Sequence, residues 1–462
     1  MSNKNKFSEK NFIFYGLNYI IGFGFIVTIS SVISKGAWGI LIFVLTAFIA
    51  MVAMLSYSRG GQVYGKEIGG AYAYAKKAFP KNRFFIFCVG WNQFAQVPLF
   101  AASTPLLLSS LLTEFDKSNQ FIYQISSIIL FVVVTLIGLF GIHLSKWFIF
   151  ITSFFKWVII LLGFGIVVYL SFGNFSIAKS FQSNEEISIA IIASSILSFF
   201  YAFGGFEGLA GVSLEVKTKR FKKLLFLIFI IVFTFYFVFY LVFLFLDKDV
   251  VEIGDDSVSF SKLLKIVFGL TGSILFIIGA LFRNFSSTLS SSLYYSRIIA
   301  SMANDNFIPK IFAIKNKNNE YKYSLMFAIF VQIIAMIILG IIPYYLNLKD
   351  QFSTIISAGV IVFFMQYIFS IFSILIISNK TKEIKISIFE KILYVIGIVI
   401  ISLIILINIF PFIVNEPFKT TSLFKLISYV VVMLLGFAFW ALNNFVLSKK
   451  NKKGQLNSIV DF

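Results

Sequence analysis

The sequence predicts an all-α integral membrane protein with twelve transmembrane helices. Its residues are 59% hydrophobic with a mean hydropathy of +0.93, more apolar surface than an ordinary soluble domain hides. The apolar residues fall into runs of about 20, the length that crosses ~30 Å of hydrocarbon. Lysine and arginine alternate in density between successive connections, as they do in a chain threaded repeatedly through a bilayer.

In order, the spans read approximately 11–34, 39–58, 84–112, 121–141, 147–170, 187–213, 224–246, 267–292, 324–342, 353–377, 392–410 and 426–446. An even number puts both termini on one side. The seven segments on that side hold 28 of the 39 lysines and arginines, the six opposite segments hold 9, and the excess marks the cytoplasm. The net charge of +19 is therefore mainly a topology signal, with attraction to anionic lipid as a secondary effect; it does not call for nucleic acid. The first ten residues carry three lysines and no short apolar core with a cleavage site, so no removable signal peptide is expected. Cys88 is the single cysteine, which excludes an intrachain disulfide.

The chain reads as one polytopic domain. The connections 59–83 and 293–323 are cytoplasmic and basic. The stretch 247–266 is external and acidic, long enough for a short lid helix, and residues 447–462 read as a flexible basic cytoplasmic tail.

Two spans are interrupted. Span 1 carries Gly22 and Gly24 near its middle, and span 6 carries Gly204, Gly205, Gly208 and Gly211. Each glycine weakens a helix by roughly 1 kcal/mol relative to alanine. Breaks at corresponding positions of two halves point to an inverted-repeat transporter. Freed backbone groups survive at membrane depth only where they are buried in protein or line a polar cavity. Close helix packing through Gly204–Gly208 is the competing explanation for span 6.

Five stretches in order resemble the amino acid–polyamine–organocation (APC) permeases. They are IIGFGF in span 1, GGAYAYAKKAF from Gly69, Gly90-Trp91 in span 3, FFYAFGGFEGLAGVSLEVK in span 6, and SRIIASMANDNFIPKIFAIKNK from Ser296. The departures are Tyr57-Ser58-Arg59-Gly60 where the family often has Tyr-Ala-Glu-Leu, bulky Phe23 where it has serine, and Lys-Thr-Lys-Arg-Phe in place of the family's Asn-Pro and later proline directly following span 6. From span 9 onward the likeness is only hydropathic. The resemblance implies the LeuT-type fold: a 5+5 inverted repeat of residues 1–170 and 187–377, two peripheral helices over 392–446, and helices 1 and 6 broken. It also implies a central amino acid site. N–H groups around Gly22, Phe23 and Gly24 would hold the α-carboxylate. Carbonyls near Ile20, Tyr201 and Gly204 would take the α-ammonium, with Tyr201 covering the substrate and Phe203 near it.

Three charged residues fall within the spans: Lys156, Glu207 and Arg283. A charge at bilayer depth costs at least ~2.5 kcal/mol on insertion scales, and such residues usually face a bundle interior. A lysine in helix 5 resembles that of a proton-coupled branch of the family, where it replaces a sodium ion against helix 1 carbonyls and helix 8 hydroxyls. Ser287, Ser290 and Ser291 share a face there. The alternatives for Lys156 are a fixed structural cation or snorkelling to the surface. Glu207 either carries a proton, since burial favours the neutral carboxyl, or braces the helix 6 break. Arg283 either pairs with Glu207 or forks onto a substrate carboxylate. Asn92 and Gln96 either line the side-chain pocket or bridge helices, and His143 reads as interfacial.

Together these predict a secondary active amino acid permease of the plasma membrane, proton-coupled or exchanging. It would need no cofactor beyond a proton gradient or counter-substrate. An acidic amino acid exchanger using Arg283, or a polyamine or organic cation carrier, are the alternatives. No paired carboxylates, His/Cys cluster or nucleophile–base set sits at membrane depth, so the sequence offers no enzyme site and no metal site.

Overall fold

A computed structural model describes residues 7–64, 69–113, 116–137, 142–173, 186–211, 213, 216–245, 260–316, 320–348, 351–381 and 383–460; within its helices the side chains of 23, 30, 137, 142–150, 152, 173, 260–262, 282–293 and 450–460 lie outside the description. The described chain is all-helical apart from one isolated bridge between Phe7 and Val216. Among the described residues, nine helices are long and apolar enough to cross a membrane, and a bent pair makes ten; shorter apolar helices cover Gln120–Leu136 and Leu270–Leu281.

Span 1 is two helices, α1 (Glu9–Ile20) and α2 (Phe23–Ile33), whose axes differ by 42°. Ser8 caps the start of α1 by accepting from the Asn11 N–H, supplying an acceptor that the first turn lacks. Next come α3 (Trp38–Tyr64) and the short α4 (Ala71–Ala78). Span 3 is α5 (Arg83–Ala101) followed by α6 (Ser103–Thr113). Pro98 sits inside α5, where it removes one ladder hydrogen bond just before the junction at Ala102. The helices α7 (Gln120–Ile137) and α8 (Ile142–Gly173) follow.

Span 6 begins as α9 (Ile189–Phe199), tightens into a 3-10 turn over Phe200–Phe203, and resumes as α10 (Phe206–Gly211). The rest comprises α11 (Phe221–Leu244), α12 (Phe260–Phe268), α13 (Leu270–Asn304), α14 (Lys322–Tyr345), α15 (Gln351–Lys380), α16 (Ile388–Ile409) and α17 (Thr420–Val460). The largest buried core gathers α1, α2, α3, α9, α10, α11 and α15. The interruptions themselves are buried in it, with Ile20, Ile21, Ala202, Phe203 and Phe206 all under 5% exposed.

Three expectations change. Tyr57-Ser58-Arg59-Gly60 lies inside α3, which continues to Tyr64. The C-terminal segment, expected as a flexible tail, continues the helix of α17 to Val460. Most of the connection expected to hold a lid helix falls outside the described residues; the helix seen there, α12, begins at Phe260 and runs into the membrane-length α13.

Candidate functional site

The site is built on the two places where helical hydrogen bonding stops. Ile21 closes α1 in an extended conformation, φ −68° and ψ 114°. The first N–H groups of α2, those of Phe23 and Gly24, lack intrahelical acceptors as in any helix start and sit at its positive end. In span 6, Gly204 is extended and Gly205 has φ +129°, a region that only glycine adopts without strain. The two interruptions touch: a Cβ on Gly24 would lie 3.0 Å from the Tyr201 ring. Tyr236 from α11 ties them together, donating toward the Ile20 carbonyl (3.3 Å) and the Ala202 carbonyl (3.0 Å). Its ring stacks on Phe25 at 4.0 Å.

Lys156 projects from α8 to the end of α1. Its ammonium donates to the Asn18 carbonyl (2.7 Å), the Asn18 Oδ1 (2.6 Å) and the Ile21 carbonyl (2.9 Å). A cation at a helix C-terminus meets the negative end of the dipole and satisfies carbonyls left without partners. The residue is 4% exposed, so it does not snorkel to the surface. Asn18 is itself held by Ser153, one turn before Lys156 on α8.

Glu207 lies in the first turn of α10, 3% exposed. Its Oε2 accepts from the Gly205 N–H (3.2 Å) and from the Tyr367 hydroxyl (3.1 Å). A polar chain runs on from it. Tyr294 reaches toward the Glu207 carbonyl (3.5 Å) and accepts from Gln93. Gln366 links Gln93 to Asn92, accepting from Asn92 at 2.8 Å. Tyr429 donates to Asn92 Oδ1 at 3.0 Å. Five helices are thereby joined by buried side chains, which rigidify a site when all their polar atoms are satisfied.

Comparison with known proteins decides what this frame is. The model of the amino acid permease family matches residues 7–440. The chain belongs to the amino acid permease family. Uncharacterized protein MG225 of Mycoplasma genitalium is 30% identical to the permease over 97% of this chain and 96% of its own length. Uncharacterized protein MG226 of the same organism is 28% identical over 98% of each. Among solved structures, the manganese transporter of Eremococcus coleocola is similar in fold, with a TM-score of 0.56 and 14% identity over 95% of this chain and 96% of that chain. The permease is a multi-pass membrane transporter by its family, and the solved structure it resembles in fold is also a transporter.

The permease brings several of the sequence-selected residues together. Ile20, Gly22, Gly24, Tyr201, Phe203 and Gly204 border the interruptions, Lys156 and Glu207 flank them, and Phe203 packs edge-on against Tyr236 at 5.2 Å. The Ile20 carbonyl already accepts the Tyr236 hydroxyl. Asn92 bridges helices, with both ends of its amide bonded to α15 and α17. The side chains of Phe23, Arg283, Ser287, Ser290, Ser291 and His143, and all of Glu215, lie outside the described residues; the described partners of the Glu207 carboxylate are Gly205 and Tyr367. Sequence reading missed Asn18, Tyr236, Gln93, Gln366 and Tyr367. Asn18 was findable as the amide deepest inside the apolar span 1. Nothing in the aromatic run FTFYFVFYL separates Tyr236 from its neighbours.

Proposed function

We propose that the permease is a secondary active amino acid transporter of the plasma membrane working by alternating access, with Lys156 standing where a coupling cation would bind. Its frame is a twelve-helix 5+5 inverted repeat in which α1/α2 and α9/α10 are the discontinuous first helices of each half, and both termini are cytoplasmic. The α-carboxylate binds the N–H groups at the start of α2, and the α-ammonium binds carbonyls of the unwound segment after Tyr201. The observation that supports this best is the Lys156 ammonium bonded to the Asn18 and Ile21 carbonyls, a cation beside the unwound backbone of α1. Release of its proton would leave two N–H donors for three acceptors and remove the positive charge from the end of α1, and such a change biases a two-state element.

Manganese is a weaker reading. The likeness to the manganese transporter is one of fold, and the described residues contain no group of three or more His, Cys, Asp or Glu side chains. A hard divalent cation takes several oxygen ligands.

The test is uptake of the twenty amino acids and of manganese into proteoliposomes, with and without an inward proton gradient. Saturable amino acid uptake that Lys156→Met uncouples from the gradient supports the reading. Manganese uptake without amino acid uptake overturns it.

A further inference from the structure

Helix α5 turns three buried amides inward: Asn92, Gln93 and Gln96. Asn92 is bonded at both ends, and Gln93 donates to Tyr294 and faces Gln366 with its oxygen. Gln96 differs. Its Oε1 accepts from the Tyr295 hydroxyl at 2.7 Å, while its Nε2 has no partner although the residue is 1% exposed. An unmade hydrogen bond on a buried donor is costly, and such groups in native proteins usually have a ligand or water to meet.

Gln96 also points the right way. Phe100 follows it by four residues, so the two share a face of α5, ~6 Å apart along the axis. Phe100 stacks on Tyr201 at 5.6 Å and packs on Phe363 at 4.8 Å. Phe363 in turn lies 3.0 Å from where a Cβ on Gly204 would stand. The Gln96 face of α5 is thus the face turned to the unwound part of span 6. Tyr295, which orients the amide, is within electrostatic reach of Tyr19, Tyr201 and Glu207, residues that flank both interruptions.

We propose that the side-chain end of the site takes a neutral amino acid bearing a carboxamide, with Gln96 Nε2 donating to the side-chain carbonyl oxygen and Tyr295 setting the amide's orientation. This rests on the amino acid transporter reading above and names its substrate class. A carboxylate side chain fits less well. It would meet a neutral amide near the Glu207 carboxylate, and like charges at one site oppose each other. Arg283 is three turns of α13 away from Tyr295, ~18 Å along the axis. An aliphatic side chain would leave the donor unmet, and sites built around a hydrogen bond reject analogues lacking it.

The experiment measures uptake of labelled glutamine, leucine and glutamate by proteoliposomes. The wild type is expected to take glutamine in preference to the other two. Gln96→Met keeps the side-chain length and removes the donor, and should lower the glutamine-to-leucine ratio roughly tenfold. Tyr295→Phe loosens the amide and should lower that ratio about threefold, and it decides the matter if Gln96→Met does not fold. Preference for leucine or glutamate in the wild type, or equal loss of glutamine and leucine uptake in the variants, overturns the proposal. A folded wild type that moves no amino acid overturns the transporter reading itself, an outcome distinct from loss of selectivity.

Discussion

A buried lysine and a left-handed glycine show how much single residues carry here. Lys156 gives three hydrogen bonds to the last turn of α1. Methionine in its place fills similar volume and offers none of them. Each hydrogen bond to a charged group contributes about 1.5–3 kcal/mol, so Lys156→Met should destabilise the protein by about 3 kcal/mol after the lysine's own desolvation is offset. Thermal unfolding in detergent reads this directly, and a change below about 1 kcal/mol would mean that the lysine does not hold the end of α1. Gly205 is constrained differently. With φ +129° it cannot become alanine without backbone strain of about 1–3 kcal/mol. Gly208 is helical, and there a Cβ would meet the Tyr19 hydroxyl oxygen at 2.6 Å. Trimming Tyr19 to alanine should therefore rescue Gly208→Ala and fail to rescue Gly205→Ala. Folded yield of the three single and two double variants separates backbone strain from crowding; rescue of both would show that crowding by Tyr19 is the whole effect.

Helices interact here through their interrupted ends. The N-terminus is laced to the segment after span 6: the Lys217 N–H donates to the Phe7 carbonyl at 2.9 Å, and Thr218 donates to Glu9 at 2.6 Å. Gly16 of α1 lies against Ile228 of α11 and Leu209 of α10, and Phe12 packs on Phe221. The pieces α1 and α10 therefore share one body with α11, and Tyr236 connects that body to the unwound backbone beside it. Tyr236→Phe keeps the stack on Phe25 and removes both hydroxyl bonds. It should cost about 1 kcal/mol in unfolding and slow transport more than it weakens binding, because the unwound segments lose their common tether. Unchanged uptake kinetics would show that the tether is idle. The sequence made part of this legible. Glycines spaced one and two apart in spans of membrane length marked where helical bonding stops, because glycine is costly in a helix and free elsewhere. A lysine among apolar residues marked a buried cation. The tether was not legible, since Tyr236 and Tyr240 share a helix face in an aromatic-rich span and local pattern cannot say which hydroxyl finds a carbonyl. Asn92 was open to two readings for a similar reason: its partners Gln366 and Tyr429 lie on helices far along the chain.

At the scale of the whole molecule, charge placement and ion pairing agree on one face. Arg59 near the end of α3 grips Glu390 at the start of α16 through one guanidinium edge, Nε and Nη2 each donating to a carboxylate oxygen. Lys76 on α4 pairs with Asp305 after α13 at 2.9 Å, and Tyr72 donates to the same carboxylate at 2.5 Å. Tyr64 bonds Glu383 just before α16. All these contacts lie in connections on the side that holds 28 of the 39 lysines and arginines, so the positive excess and the clasp between helices occupy the same end. If that end is cytoplasmic, the inner ends of α3, α4, α13 and α16 are held together by pairs that must part when the inner side opens. The orientation is open to a clean measurement because Cys88, the single native cysteine, is buried. Lys419, between α16 and α17, and Lys310, after α13, are both exposed and lie at opposite ends of the bundle. A membrane-impermeant maleimide applied to intact cells should label Lys419→Cys and leave Lys310→Cys unlabelled until the cells are opened, while the wild type gives the background of Cys88. Labelling of Lys310→Cys in intact cells would invert the topology. It would put the clasp on the outside and strip the lysine asymmetry of its meaning.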